Sequence, residues 1–320
     1  MPAFHNKHPD AFQADFHRRW NHLRDPHVRA LAWLLDAPDL LDPDALQWHG
    51  RIASLSSRAV DDAYAWLNVL DREPATLHAR LDLQPVTRLG RYAEKLMAFY
   101  FSYRQILHAS GVQVRSAKND TIGEFDFLLR CGDALVHWEF AVKFYLLKSS
   151  GSRSEADYFI GPNLADTLDA KMRKILDRQL SLAQHPAAQH YLPQPVASAR
   201  ALVKGWLFYH AGDGILPTAT GVSRNHCRGF WCALAESEML DAERYVILPR
   251  LQWLAPAQVR LEDTLDKPAL QRSLAAHFAW DSMPVLVALL APQEKDALET
   301  CRGFIVPDDW PVRAAKRISD

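Results

Sequence analysis

The sequence predicts an α/β protein in which a central sheet is flanked by helices. Residues 121–147 alternate between apolar and polar side chains, which is the period of paired β-strands. Residues 89–107 before this run and 163–183 after it carry apolar side chains at helical spacing. The last third of the chain adds short β-branched and aromatic runs separated by Pro, Gly and polar residues, as is typical of strands.

The composition is that of an ordinary globular protein. The chain has 320 residues, enough to bury a large core, with 48% hydrophobic and 23% charged side chains. Its 37 basic and 38 acidic side chains leave a net charge of -1, so no polycationic surface steers the whole molecule towards nucleic acid. Any nucleic-acid-binding patch must therefore be local.

The sequence shows no pattern for zinc binding, export or membrane insertion. Its four cysteines include no CxxC pair and no companion histidines at zinc spacing: Cys131, Cys227, Cys232 and Cys301. The first 20 residues lack the apolar core of a secretory signal, and no apolar run reaches the roughly 18–20 residues of a membrane-spanning helix. Free thiols suit a reducing compartment, so we expect a soluble, cytoplasmic protein.

A helical N-terminal extension is predicted over residues 1–87. Asp25 and Pro26 begin a helix in this segment, apolar residues follow at helical spacing, and Pro38 ends it.

Two further helices flank the alternating run. The helix from about Leu89 to Leu107 has one apolar stripe: Tyr92, Leu96, Phe99 and Tyr103. The helix in residues 163–183 has one apolar face: Leu164, Leu168, Met172, Ile175 and Leu176.

The alternating run predicts a hairpin whose second strand separates apolar from titratable side chains. The even positions of this strand are large and apolar: Trp138, Phe140, Val142, Phe144 and Leu146. The odd positions carry the polar groups: His137, Glu139, Ala141, Lys143 and Tyr145. We therefore expect one face of the strand in the core and the other lined by titratable groups.

The turn between the two strands fixes their register. Gly132 and Asp133 form a dipeptide that favours a tight hairpin turn. Counting back from this turn places Asp126 opposite Glu139. The same register pairs apolar residues: Phe127 with Trp138, and Phe125 with Phe140. A slip by one residue would mix the two faces, so the pattern supports this pairing.

Two carboxylates that face each other across a hairpin repel, because their Cβ atoms are roughly 4.5–5.5 Å apart. A divalent cation such as Mg²⁺ offsets that repulsion, since it prefers oxygen ligands. Lys143 lies on the same face as Glu139, roughly 13 Å farther along the strand, and has a side chain long enough to reach back. Two alternative interpretations remain: Asp126 and Glu139 are solvated residues on an exposed sheet face, or Lys143 simply bridges them.

These residues resemble the PD-(D/E)XK nuclease superfamily, whose core is a helix with an acidic residue, a hairpin bearing Asp and Glu-x-Lys, and another helix. The resemblance covers roughly residues 88–185. More closely, the segments LGRYAEKL, GEFDFLL, HWEFAVKFYL and GPNLADTLDAKM are similar to a bacterial family described as a domain of unknown function and grouped with that superfamily. The resemblance implies a restriction-endonuclease-like mixed central sheet in residues 88–190, with a β-rich region over 191–320 packed on it.

The resemblance also implies roles for individual residues. Glu94, Asp126 and Glu139 would bind Mg²⁺ or Mn²⁺, and Lys143 would be the catalytic lysine of a nuclease that cleaves DNA rather than RNA. The sequence departs from the motif at Ala141, where the usual lysine stands two residues after the acid. A lysine at Lys143 keeps the same face and is compatible with activity. The same change is compatible with a catalytically inactive, nuclease-like protein that binds nucleic acid or acts as a scaffold.

Other candidate residues have two interpretations each. Lys171, Lys174 and Arg178 form either a solvated helix face or a phosphate-contacting one. His137 is either a packed strand histidine or, beside a metal, a contact for the attacking water. A set of strand aromatics is expected in the core: Trp206, Phe208, Trp231 and Trp253.

Overall fold

A computed structural model describes residues 12–82, 88–116, 120–148, 159–211 and 221–319. Its helices are α1 (Phe12–Trp20), α2 (Pro26–Asp36), α3 (Ser57–Arg72), α4 (Ala75–Leu81), α5 (Leu89–Tyr103), α6 (Leu168–Lys174), α7 (Lys267–Phe278) and α8 (Trp310–Ser319). Its strands are β1 (Leu107–Arg115), β2 (Thr121–Cys131), β3 (Ala134–Leu147), β4 (Phe159–Ile160), β5 (Val196–His210), β6 (Cys227–Ala233), β7 (Arg244–Ile247), β8 (Gln258–Arg260), β9 (Val285–Gln293) and β10 (Asp296–Val306).

All ten strands in the described part of the chain belong to one mixed sheet with the order β1-β2-β3-β5-β6-β10-β9-β7, while β4 pairs with β3 and β8 with β10. The four central strands β3, β5, β6 and β10 are mutually parallel. The flanking pairs β1–β2, β2–β3, β9–β10 and β7–β9 are antiparallel. The predicted α/β fold, a large mixed sheet flanked by helices, is confirmed.

The N-terminal helices cover one face of this sheet. Asp25 accepts hydrogen bonds from the first backbone N–H groups of α2, so the helix begins where the sequence predicts. Trp33 of α2 stacks on Trp206 of β5 with 6.3 Å between ring centroids. The same apolar cluster joins α1 to α5 with β2, β3, β5, β10 and α8. The N-terminal helices thus share their core with the sheet.

Helix α6 and the π-helical turn that continues it, Ile175–Gln179, cover the opposite face of β3. As a result both faces of this strand are buried. His137 is 0% exposed and Glu139 is 3% exposed. The titratable face predicted for β3 exists, but it points into the protein, because α6 packs over it. Leu164, predicted within this helix, lies before its first residue.

Four strands predicted in the last third of the chain are present as β5, β7, β9 and β10. The aromatics predicted to pack are buried: Trp206, Phe208, Trp231 and Trp253. Trp253, expected on a strand, lies instead at the end of a 3-10 turn after β7. Strands β1, β4, β6 and β8 were not predicted, although Trp231, which lies on β6, was expected on a strand. The helix predicted to reach Leu107 ends at Tyr103, since Gln105 adopts a left-handed φ of 57° and Leu107 begins β1.

Strands on both sides of residue 190 hydrogen-bond within the one sheet. The domain boundaries predicted at residues 87 and 190 stay predictions, and residues 83–87 lie outside the described part of the chain. Over the part that the structure describes, no helix is long and apolar enough to cross a membrane.

Candidate active site

The β2–β3 hairpin has the register that the turn predicts. Gly132 takes a left-handed φ of 57° in the turn, which suits glycine, and the ladder runs from the Cys131–Ala134 pair to the Phe127–Trp138 pair. The described ladder stops there. Beyond Trp138, strand β3 continues alongside β5 as far as the Leu146–Phe208 pair. The two strands of the hairpin therefore separate at the position where the sequence places Asp126 and Glu139.

Asp126 lies where strands β2 and β3 separate. Its Oδ2 accepts a hydrogen bond of 2.9 Å from the backbone N–H of Phe140, so a carboxylate satisfies the donor that strand pairing leaves free. The prediction that Phe125 faces Phe140 is wrong. The Phe125 ring lies against His137 instead, with 4.9 Å between centroids and perpendicular planes. Because the strands have parted, Phe125 enters a separate apolar cluster with Leu128.

Three carboxyl groups form what we call the acidic cluster: Glu94 of α5, Asp126 of β2 and Glu139 of β3. Burial, followed by the charge of Glu139, raises the pKa of Asp126 to about 8. Burial and then the charge of Asp126 raise the pKa of Glu94 to about 7. Asp126 and Glu139 also share a side-chain hydrogen bond, although the strand ladder ends one pair before them. Glu94 acts on the pair through its charge.

Glu139 is held from two sides. The side-chain amide of Gln179, in the π-helical turn, donates a hydrogen bond to its Oε1. Its Oε2 lies 3.7 Å from Nε2 of His137 and has no hydrogen-bond partner within the described residues. Burial raises the pKa of Glu139. A side-chain hydrogen bond also joins Glu139 to Asp126, so two neighbouring side chains, Gln179 and Asp126, hold this carboxyl group.

His137 is a buried neutral imidazole. Burial lowers its pKa to about 4, so the ring carries no charge at neutral pH. Neither Nδ1 nor Nε2 has a hydrogen-bond partner in the part of the chain that is described. Burying such a group without a partner is unfavourable. The sequence indicates its position two residues before Glu139, but not its burial.

Lys143 is anchored away from the acidic cluster. Its Nζ lies 3.7 Å from Oδ2 of Asp166, which also accepts a 3.1 Å hydrogen bond from the hydroxyl of Tyr145. Burial and then the charge of Lys171 lower the pKa of Lys143. The backbone of Lys143 is closely approached by Gly205 of β5, whose added Cβ would lie 1.9 Å from the Lys143 carbonyl oxygen.

The basic residues of α6 and its continuation fall into two groups. Lys171 is half-buried, and its positive charge opposes the raised pKa values of Glu94 and Glu139. Lys174 and Arg178 are exposed. The structure thus brings Lys171 towards the acidic cluster and leaves the other two on the surface.

A family model described as a domain of unknown function, DUF1853, matches residues 29–306. The chain belongs to the DUF1853 family. No curated protein and no solved structure matches the chain. The DUF1853 match extends from α2 into the last residues of β10, so the acidic cluster and all ten strands lie inside it.

Carboxylate oxygens are the ligands that Mg²⁺ prefers, and Oε2 of Glu139 has no hydrogen-bond partner among the described residues. Within the described ranges, no three His, Cys, Asp or Glu side chains already form a set arranged to hold a metal ion. Asp126 is occupied by the Phe140 N–H and Glu139 by Gln179. Metal binding therefore requires these side chains to turn towards a common point.

Three contacts in the DUF1853 site were not predicted: Gln179 on Glu139, and Asp166 and Tyr145 around Lys143. Gln179 reaches Glu139 from the π-helical turn that continues α6, and α-helical periodicity does not reveal this turn. The Asp166 contact depends on the loop that precedes α6 and has no comparable signal in the sequence.

Proposed function

We propose that this DUF1853 chain is a metal-dependent nuclease of the PD-(D/E)XK class that hydrolyses phosphodiester bonds in DNA rather than RNA. One observation supports this most strongly. Asp126 and Glu139 lie where a hairpin parts, Glu94 of the preceding helix joins them, and α6 follows. The arrangement agrees with the restriction-endonuclease-like order of helix, hairpin and helix.

In this proposal the acidic cluster binds Mg²⁺ or Mn²⁺. When bound, the ion polarises the scissile phosphodiester and lowers the pKa of a water molecule. The protein's part is to supply three carboxylates, one each from α5, β2 and β3, in a site from which most water is excluded. Their raised pKa values reflect burial and mutual repulsion, and a cation relieves the repulsion.

Lys171 supplies positive charge for the developing phosphorane, and Lys143 has a positioning role. Lys171 acts on Glu94 and Glu139 electrostatically, so a phosphate bound at the cluster lies within range of its ammonium group. Lys143, held by Asp166, orients the substrate or the attacking water. Exposed Lys174 and Arg178 provide phosphate contacts farther along the strand of DNA.

The test is cleavage of linear, circular and single-stranded DNA, and of a matched RNA, in Mg²⁺, Mn²⁺ or EDTA. We expect metal-dependent cleavage of DNA that falls by at least ~100-fold in Asp126→Asn and Glu139→Gln. Asp133→Asn, which changes an exposed carboxylate in the turn of the same hairpin, is the matched control and should keep its activity. Cleavage that is equal in wild type and both site variants would overturn the proposal.

A second candidate is a catalytically inactive, nuclease-like protein that binds nucleic acid or acts as a scaffold. It is favoured by the Gln179–Glu139 contact and by the lack, among the residues described, of a metal-ligand set already in place. Under this alternative, wild type is inert in every metal condition but binds DNA in EDTA, with affinity reduced in Lys174→Ala and Arg178→Ala. Fluorescence anisotropy on the same DNA substrates separates the two candidates.

A further inference from the structure

Lys143 projects from the face of β3 that α6 covers. Its neighbours on that face, Ala141 and Tyr145, lie two residues to either side and share an apolar cluster with Met172 of α6. The side chain of Lys143 therefore lies beside α6. It is 22% exposed and that of its partner Asp166 is 41% exposed, so the pair is open to solvent.

Two lysines of α6 bring further ammonium groups to Lys143. Lys171 and Lys174 lie three residues apart, so they are neighbours on one side of the helix. Burial lowers the pKa of Lys143, and the charges of Lys171 and Lys174 lower it further, which shows that all three side chains lie within electrostatic range. We call Lys143, Lys171 and Lys174 the lysine cluster.

The lysine cluster has more positive charge than its carboxylate partners balance. Asp166 lies 3.7 Å from the ammonium group of Lys143. Within the described part of the chain, no ion pair holds either lysine of α6, and Asp169 of that helix pairs with Arg173 instead. Like charges at neighbouring helix positions are destabilising. Three ammonium groups beside one paired carboxylate therefore favour an anion from outside the chain.

The excess charge of the lysine cluster suits a terminal phosphate better than an internal one. A phosphate monoester carries a charge of about −1.5 to −2 at pH 7, whereas each phosphodiester inside a DNA strand carries a single negative charge. The monoester also offers three acceptor oxygens to the three ammonium groups. Lys143 follows Glu139 by four residues, roughly 13 Å along β3, so this phosphate would lie beside the acidic cluster and not within it.

We propose that the lysine cluster binds the terminal phosphate monoester of a DNA strand, so that the protein acts on strands with a phosphorylated end. The inference rests on the proposed function, because it takes DNA as the substrate, but the contact itself needs no metal ion. Asp166 holds the ammonium group of Lys143 near the surface, and the hydroxyl of Tyr145 in turn holds Asp166. The site then distinguishes DNA ends by their charge and not by their sequence.

The test compares one internally labelled oligonucleotide with three kinds of end: a 5′-phosphate, a 3′-phosphate, or hydroxyl groups at both ends. Fluorescence anisotropy in EDTA measures the affinity of the full chain for each strand. We expect wild type to bind at least one phosphorylated strand ~10-fold or more tightly than the hydroxyl strand. Attraction to internal phosphates is common to all three strands, so the ratio of affinities reports the end alone.

Lys143→Gln and Lys174→Gln should each reduce this ratio towards one. Lys174 is exposed, so its variant decides the question if Lys143→Gln fails to fold. Lys267→Gln is the matched control and should keep the ratio. Lys267 is an exposed lysine at the start of α7, and this helix packs against β7 at the far edge of the sheet.

The outcomes separate this inference from the function on which it rests. Equal affinity of wild type for all three strands would overturn the end-binding site and leave the nuclease proposal standing, since cleavage is measured separately. A preference for phosphorylated ends that survives in both lysine variants would also overturn the site. No binding of any strand would overturn both the site and DNA as the substrate. A lysine-dependent preference in a protein that cleaves nothing would support the site and overturn the nuclease alone.

Discussion

Asp126 shows how one residue connects the fold to the candidate chemistry. Its carboxylate accepts the Phe140 N–H where the hairpin strands part, and it lies within electrostatic range of Glu94 and Glu139. The first contact stabilises the separated strands. The proximity to Glu94 and Glu139 destabilises the folded protein, because burial and like charge both oppose ionisation of Asp126. A site of this kind is maintained at a cost to stability, as functional sites often are.

Replacing Asp126 by Asn should stabilise the metal-free protein. The amide oxygen keeps the Phe140 hydrogen bond, while the charge that burial disfavours is removed. In EDTA at pH 8 we expect the free energy of unfolding to rise by on the order of 1 kcal/mol. Urea unfolding followed by circular dichroism measures it. Asp166→Asn is the control and should give no gain, since Asp166 pairs favourably with Lys143.

The stabilisation should depend on pH with a defined sign. Between the ordinary pKa of an aspartate, near 4, and the raised pKa of about 8, Asp126 binds more protons in the folded state than in the unfolded chain. The stability of the wild-type protein therefore falls as the pH rises through this range. The advantage of Asp126→Asn should therefore be largest at pH 8 and disappear near pH 4. An advantage that is constant across this range would contradict the raised pKa.

At the scale of elements, the sequence predicts the hairpin well because its register is local. The Gly132–Asp133 turn and the alternation of β3 fix the pairing from Cys131–Ala134 to Phe127–Trp138. The separation of the strands could not be predicted in the same way. It depends on a side chain replacing a backbone partner and on the pairing of β3 with β5, whose partner residues are 61 or 62 positions away in sequence.

The positions of Lys171 and Gln179 illustrate the same limit. Their helix was predicted and its basic residues were identified, but the direction in which each points depends on how α6 packs over β3. The π-helical turn at Ile175–Gln179 changes that direction by adding a residue to the helical repeat, and Gln179 reaches Glu139 from this turn. Amphipathic periodicity alone does not reveal such a turn.

Gly205 controls the contact between β5 and β3 beside the site. A Cβ at this position would lie 1.9 Å from the carbonyl oxygen of Lys143, which is backbone and cannot rotate away. We expect Gly205→Ala to lower the free energy of unfolding by about 1–3 kcal/mol. Urea unfolding measures the loss.

Gly90→Ala is the matched control for Gly205→Ala. Gly90 lies in α5, and the nearest atom to its added Cβ is 4.0 Å away. Alanine is favoured over glycine in a helix by about 0.5–1 kcal/mol, so this variant should gain stability. Equal effects of the two substitutions would show that β5 has room to move away from Lys143.

At the scale of the whole molecule, the candidate site depends on the C-terminal half of the chain. Strand β3 carries Glu139 and Lys143, and its parallel partner β5 belongs to the region after residue 190. Beyond β5, the sheet continues through β6 and β10, and β10 shares its apolar cluster with the N-terminal helices. The acidic cluster is therefore held by contacts from both ends of the sequence.

A fragment of residues 88–190 should consequently fail to fold by itself. It contains Glu94, Asp126 and Glu139, but β3 would lose β5 along the register from Leu135–Val196 to Leu146–Phe208. A long strand edge with apolar side chains on both faces would then be exposed, which favours aggregation. We expect the fragment to show no cooperative thermal transition by circular dichroism, in contrast to the full chain. A sharp transition in the fragment would establish residues 88–190 as an independent domain.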